Sequence, residues 1–148
     1  MTPFSLRQAG LADIPTVAAL HRRVREACLP YLPVLHGPDE VAVFFGRHVF
    51  PACDVRVAEV GGALAGFCAF RPGWLDHLYV EQSRQGRGIG AALLGEAMAA
   101  NESLELWTFQ RNERACRFYE AHGFRAVERT DGSRNEEREP DVRYAWRR

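Results

Sequence analysis

Apolar positions in this chain change period several times, and the changes mark out its elements. Val55 to Val60 and Leu64 to Phe70 are two β-rich runs around Gly61-Gly62, a pattern that predicts a hairpin. Leu75 to Val80 is a further apolar run, and Ala91 to Ala100 reads as a helix. Leu104 to Phe109 predicts a strand broken by Gln110-Arg111-Asn112. Glu113 to His122 then carries Ala115, Cys116, Phe118 and Tyr119 at helical spacing and ends at Gly123, a C-terminal cap. A last strand is expected near Val142 to Trp146.

The full order is strand, helix region, hairpin, strand, glycine loop, helix, strand, helix, strand and strand. The hairpin is antiparallel, whereas the two β-α units from Leu75 to Phe109 require parallel pairing with right-handed crossovers. The prediction is one α+β (mixed α/β) domain over residues 1–148: a central mixed sheet flanked by helices, without repeat or linker. Segment 130–140 is charged and turn-rich, and reads as a solvated loop.

Composition narrows the function classes. The 19 basic and 19 acidic residues cancel, so no global field draws the chain onto nucleic acid or a membrane. All 19 basic residues are arginine, so the chain has no lysine side chain of its own to modify. Cys28, Cys53, Cys68 and Cys116 are scattered without metal-ligand spacing and predict reduced thiols. There is no secretory leader and no apolar run of about 18 residues, which predicts a soluble, cytoplasmic protein.

The chemistry is concentrated in Gln85-Gly86-Arg87-Gly88-Ile89-Gly90. Glycines between a strand and a helix let bare N–H groups approach an anion where the helix dipole favours negative charge, so the expected ligand is a phosphate or pyrophosphate. Ala91-Ala92 follow the last glycine in place of the Lys-Ser or Lys-Thr of a nucleoside-triphosphate loop. A dinucleotide fingerprint fails at its third glycine whether counted from Gly86 or Gly88, and the loop lies past mid-chain.

What remains is Gln-x-x-Gly-x-Gly at Gln85, Gly88 and Gly90, which resembles the pyrophosphate loop of the GCN5-related N-acetyltransferases (GNAT). Asn112-Glu113-Arg114-Ala115, Phe118-Tyr119-Glu120 and Gly123-Phe124 resemble that family's second cofactor-side motif. Phe4 to Arg7 followed by Ala12-Asp13-Ile14 is similar to its opening strand and first helix. The resemblance implies a GNAT-like fold, with a mostly antiparallel sheet whose parallel strands splay at the cofactor. It implies an acetyl-coenzyme A-dependent N-acetyltransferase acting by direct attack of a primary amine. A non-catalytic acyl-coenzyme A-binding module on the same fold is the alternative.

By the same resemblance the backbone of Leu78, Tyr79 and Val80 bonds pantetheine from a splayed edge. The N–H groups from Gln85 through Gly86, Arg87, Gly88 and Ile89 to Gly90 bond the pyrophosphate, helped by Arg84 and Arg87. Asn112 caps a helix and lies near the cofactor. Tyr119 is expected to protonate the leaving thiolate, since a phenol with a reference pKa of about 10 stays protonated at neutral pH. His77 is the expected base, with Asp76, Glu81 or a water chain as alternatives; strand alternation puts Asp76 on the opposite face unless a bulge intervenes. Cys116 is a poor nucleophile because no base is evident beside it. Tyr31, His36, Phe44, Phe45 and His48, among Pro30, Pro33 and Pro38, read either as an irregular lid over the acceptor or as core under a crossover. The acceptor is a small-molecule or peptide amine, and a homodimer stays open.

Overall fold

The computed structural model describes residues 3–148; Met1 and Thr2, the first residues of the predicted domain span and of the segment inspected for a leader, lie outside the described residues. Seven strands form one sheet in the order β1-β2-β3-β4-β5-β7-β6. They are β1 (Ser5–Gln8), β2 (Asp54–Val60), β3 (Ala63–Arg71), β4 (Trp74–Val80), β5 (Ser103–Phe109), β6 (Arg125–Arg129) and β7 (Asp141–Arg147). The helices are α1 (Ile14–Cys28), α2 (Pro38–Phe44), α3 (Phe50–Ala52), α4 (Ile89–Ala99) and α5 (Glu113–Ala121). β4 and β5 are parallel, and the other neighbours run antiparallel. No helix is long and apolar enough to cross a membrane among the described residues.

Strand alternation sends side chains to two faces, and each face has its own core. Ala58, Cys68, Leu104, Leu106 and Tyr144 of the sheet pack with Leu93 and Leu94 of α4 and Tyr119 of α5. Val57, Phe67 and Ala69 pack on the other face against Val17, Leu20 and Val24 of α1 and against Phe45. β3 is therefore buried on both sides from Ala65 to Phe70. Each fully buried Val, Leu or Phe contributes roughly 1.5–3 kcal/mol of transfer free energy.

The stretch between α1 and the hairpin is more regular than its prolines imply. Pro38 stands at the start of α2, where its missing N–H costs nothing, and the helix runs into a π-helical turn at Phe45–Val49 and then α3. Phe45 and Val49 are buried there, so the aromatic segment is partly core, and only the residues between α1 and α2 form an irregular connection.

Gly66 sets the distance between β3 and the helix behind it. A Cβ there would lie 2.9 Å from the Tyr79 carbonyl oxygen, 3.3 Å from Leu93 Cδ1 and 3.4 Å from Ile89 Cγ2. Gly66→Ala is expected to cost about 1–3 kcal/mol by overpacking. Chemical denaturation checks this, and an unchanged midpoint contradicts it.

Candidate active site

β4 and β5 begin as a pair and then part. Only Trp74↔Glu105 is paired between them, with the Glu105 N–H donating to the Gly73 carbonyl at 2.9 Å. Beyond that point β4 stays bonded to β3, through Leu78↔Cys68, Tyr79↔Phe67 and Val80↔Gly66, while β5 stays bonded to β7. The β4 edge facing β5 is left open over Leu78, Tyr79 and Val80. An open strand edge presents donors and acceptors at peptide spacing, which suits an amide-bearing chain such as pantetheine. Leu78 and Val80 direct their side chains into the α4 core, as an edge used through its backbone requires.

The glycine loop continues from this strand. Gly86 and Gly88 hold φ of +78° and +86°, values in the left-handed region that a Cβ disfavours. Gly88 is the residue before α4, and a Cβ on it would meet nothing within 4 Å. The open space lies in front of the N–H groups of Gly86, Arg87, Gly88, Ile89 and Gly90, which have no backbone acceptor among the described residues. Five donors at a helix N-terminus form an anion cradle. Gln85 acts differently: its N–H donates to Gln82 O at 3.3 Å, and its side-chain amide donates to Val80 O at 3.0 Å. It thereby fastens the loop to the end of β4. A Cβ on Gly90 would lie 3.5 Å from the Phe118 ring and 3.7 Å from Val80 Cγ2, so α5 lies close against the loop.

On α5, Asn112 accepts a hydrogen bond from the Ala115 N–H at 3.2 Å, a side-chain N-cap. Tyr119 is buried among Phe118, Phe124 and Tyr144 with ring centroids 5.3, 5.6 and 6.2 Å away. Its hydroxyl makes no hydrogen bond among the described residues, and burial raises its pKa, helped by the nearby Tyr79. Burial also pushes the buried Cys68 thiol up to about 12 and Cys53 up to about 11, so neither is a thiolate at neutral pH.

On the opposite face, His77 packs against Phe45, Phe67, Tyr79 and His21, with ring centroids 5.2, 6.3, 6.1 and 5.7 Å away. Nδ1 of both histidines is buried without a hydrogen-bond partner. Desolvation lowers the His77 pKa to about 4 and that of His21 to about 3, so both rings are neutral at physiological pH. The alternative bases stand apart. Asp76 occupies a bulge in β4 and is bonded by Arg71 at 2.7 Å, and Glu81 lies beyond the strand, paired with Arg23 at 2.9 Å.

Several residues of this region are not marked by any local motif. A cleft of about 560 Å³ lies where β5, β6 and β7 meet segment 130–140, lined by Trp107, Phe109, Glu128, Glu137 and Asp141 among others. Segment 130–140 is tied down rather than freely solvated: Arg25–Glu137 meet at 3.1 Å, Arg111–Glu139 at 2.8 Å and His36–Glu136 at 2.5 Å. Arg111 also lies over the Tyr31 ring at 4.0 Å, while the Tyr31 hydroxyl is buried and unpartnered. Arg25 and Glu137 are 112 positions apart, and only the spacing of complementary charges in three dimensions identifies them as a pair.

Comparison with known proteins places the chain in a family. Residues 47–126 match the acetyltransferase (GNAT) domain. The probable N-acetyltransferase Rv2775 of Mycobacterium tuberculosis is 32% identical over 145 residues, covering 84% of this chain and 82% of that protein. The peptidyl-lysine N-acetyltransferase YiaC of Escherichia coli is 36% identical over 124 residues, covering 83% and 84%. In structure, the PaiA N-acetyltransferase of Thermoplasma acidophilum, solved with coenzyme A, superposes with a TM-score of 0.73 at 18% identity over 99% of each chain. With the parted strands, the glycine cradle and these relatives together, the chain belongs to the GCN5-related N-acetyltransferase family and is an acyltransferase that uses acetyl-coenzyme A.

Proposed function

We propose that this enzyme transfers acetyl from acetyl-coenzyme A to a primary amine by direct attack, with no covalent enzyme intermediate. The observation that carries the reading is the opening between β4 and β5 with the glycine cradle at one end; Tyr119 lies in the core on one face of the sheet, and His77 packs on the other. Pantetheine bonds the free edge of Leu78, Tyr79 and Val80, and the pyrophosphate sits on the N–H groups from Gly86 to Gly90. Asn112 fixes the start of α5 next to the cofactor. Arg84 and Arg87, which make no ion pair among the described residues, supply positive charge to the phosphates.

The acceptor enters from the cleft beside β5, where Trp107 and Phe109 offer apolar contact and Glu128, Glu137 and Asp141 offer carboxylates, Glu128 being shared with Arg134 and Arg143 and Glu137 with Arg25. The name of the E. coli relative makes a peptide lysine the first acceptor to try. The amine attacks the thioester carbonyl. Neutral His77 accepts a proton from the cationic tetrahedral adduct, an acid far stronger than a free ammonium, and Tyr119 protonates the departing thiolate. Such an acceptor cleft distinguishes an enzyme from a binding module.

Calorimetric titration of acetyl-coenzyme A tests the reading. Wild-type protein is expected to bind in the micromolar range, and Gly88→Val to lose at least about 100-fold in affinity, because the side chain fills the pyrophosphate space and strains a residue at φ +86°. Equal affinity in a folded Gly88→Val protein overturns the loop assignment. Absence of binding in the wild type overturns the transfer reading.

A further inference from the structure

Alternate side chains of β5 turn to opposite faces of the sheet. Leu104 and Leu106 enter the core with α4, so Glu105, Trp107 and Phe109 face the other way, toward the side on which His77 packs against Phe45. Glu105 is the residue paired with Trp74, and Trp107 follows shortly after it, where β4 and β5 part. There it lines the cleft of about 560 Å³ and is 43% exposed. The other tryptophans are covered: Trp74 lies under Arg71 at 5.4 Å and Trp146 under Arg148 at 5.7 Å. Among the described residues no cation and no aromatic ring lies over Trp107. Its cross-strand neighbour Arg143 is drawn off by Glu105 and Glu128 instead.

The carboxylates of the cleft are already engaged. Glu128 takes Arg143 at 3.1 Å and Arg134 at 3.5 Å, and Glu137 takes Arg25 at 3.1 Å. Asp141 makes no ion pair among the described residues, but one of its oxygens accepts from the Thr130 hydroxyl and the other from Asn135 Nδ2 at 3.1 Å. Its charge draws a cation into the cleft while its oxygens are occupied, and the surface left open to receive that cation is the indole face. Resting on the acetyl-transfer reading, we propose that Trp107 is the acceptor-specificity residue: its uncovered ring seats the alkylammonium head of the acceptor at the mouth of the β4–β5 opening. Selection then follows positive charge and an apolar stem, not N–H donors. The ring holds the acceptor before reaction, so its contribution falls on KM and not on kcat.

The test is calorimetry of two blocked peptides on the coenzyme A complex: one carries trimethyl-lysine, the other its neutral isostere with carbon in place of nitrogen. Neither can be acetylated, and a quaternary ammonium has no N–H to donate to a carboxylate, so an aromatic face is what favours it over the isostere. Wild-type protein is expected to hold the cationic peptide about tenfold more tightly, Trp107→Leu to lose most of that preference, and Trp107→Phe to fall between them. A distorted cleft would weaken both peptides and leave their ratio standing. With an unmethylated lysine peptide, Trp107→Leu is expected to raise KM about tenfold and keep kcat within about twofold. Wild-type protein that binds neither peptide or holds both alike, or a preference that survives intact in Trp107→Leu, overturns the role of Trp107 and leaves acetyl transfer standing. Wild-type protein that binds acetyl-coenzyme A but acetylates no amine overturns the transfer reading and this inference with it.

Discussion

Replacing Tyr119 by phenylalanine is expected to lower kcat about 100-fold while leaving the Kd for acetyl-coenzyme A within about twofold, an effect near 3 kcal/mol on the barrier. The ring is held by Phe118, Phe124 and Tyr144, and phenylalanine keeps those contacts. The hydroxyl bonds nothing among the described residues, so its removal strands no partner and stability changes little. What disappears is the hydroxyl to which the proposed mechanism gives the role of proton donor. Burial raises the Tyr119 pKa above that of a free phenol, so the group remains protonated across the working range, as the proposed donor role requires. Without it the sulfur must leave as an anion in a water-poor site, and the barrier rises. Steady-state kinetics with calorimetry checks both halves. Equal kcat in the variant contradicts the role, whereas a large loss of cofactor affinity would make Tyr119 a binding group.

Acid is expected to destabilise this protein well above the range in which carboxylates protonate. His21 and His77 are neutral in the folded state, with pKa values lowered from 6.5 to about 3 and about 4. The unfolded chain takes up protons on both as pH drops through about 6.5, and the folded chain does not. Stability is therefore complete above that pH and falls toward about pH 4. At about pH 5 each buried ring costs about 2 kcal/mol, and the two together cost a substantial part of the 5–15 kcal/mol typical of a domain. His36 acts in the opposite sense, because its contacts with Glu40 and Glu136 raise its pKa; it is solvent-exposed and offsets little. Asp13, lowered to about 2 chiefly by its bond to Arg7, loses its contribution only at lower pH. Urea midpoints from about pH 7.5 to 5 measure the effect, and His21→Gln is expected to flatten the dependence by about half. A flat wild-type profile contradicts the neutral pair.

Local order could be read directly from the residues. Gly61-Gly62 between two β-rich runs is the hairpin turn, with both φ values positive at +58° and +82°. Asn112 and Gly123 bracket α5 as N-cap and C-terminal glycine. The glycine loop stands between β4 and α4, and its N–H groups from Gly86 to Gly90 have no backbone acceptor among the described residues. These features depend on backbone preferences and hydrogen bonds within a few residues, and such terms are written locally. Pro38 is ambiguous as an isolated residue, since a proline both interrupts helices and starts them; here it starts α2.

The face on which each side chain works, and the company it keeps, came only from packing. His77 has the ordinary titration range of a base as an isolated residue. Enclosed by His21, Phe45, Phe67 and Tyr79, it is neutral and weakly basic. Asp76 leaves the alternation because β4 bulges there, a choice made by pairing with β3. Arg25 and Glu137 meet because α1 and segment 130–140 close over the sheet from opposite ends of the chain. The sequence by itself determined the element order and the glycine loop between β4 and α4, because each rests on short-range backbone geometry. Only the tertiary structure decided that the His77 ring is buried and neutral and where the cleft beside β5 opens, because desolvation and long-range pairing exist only once the chain has folded.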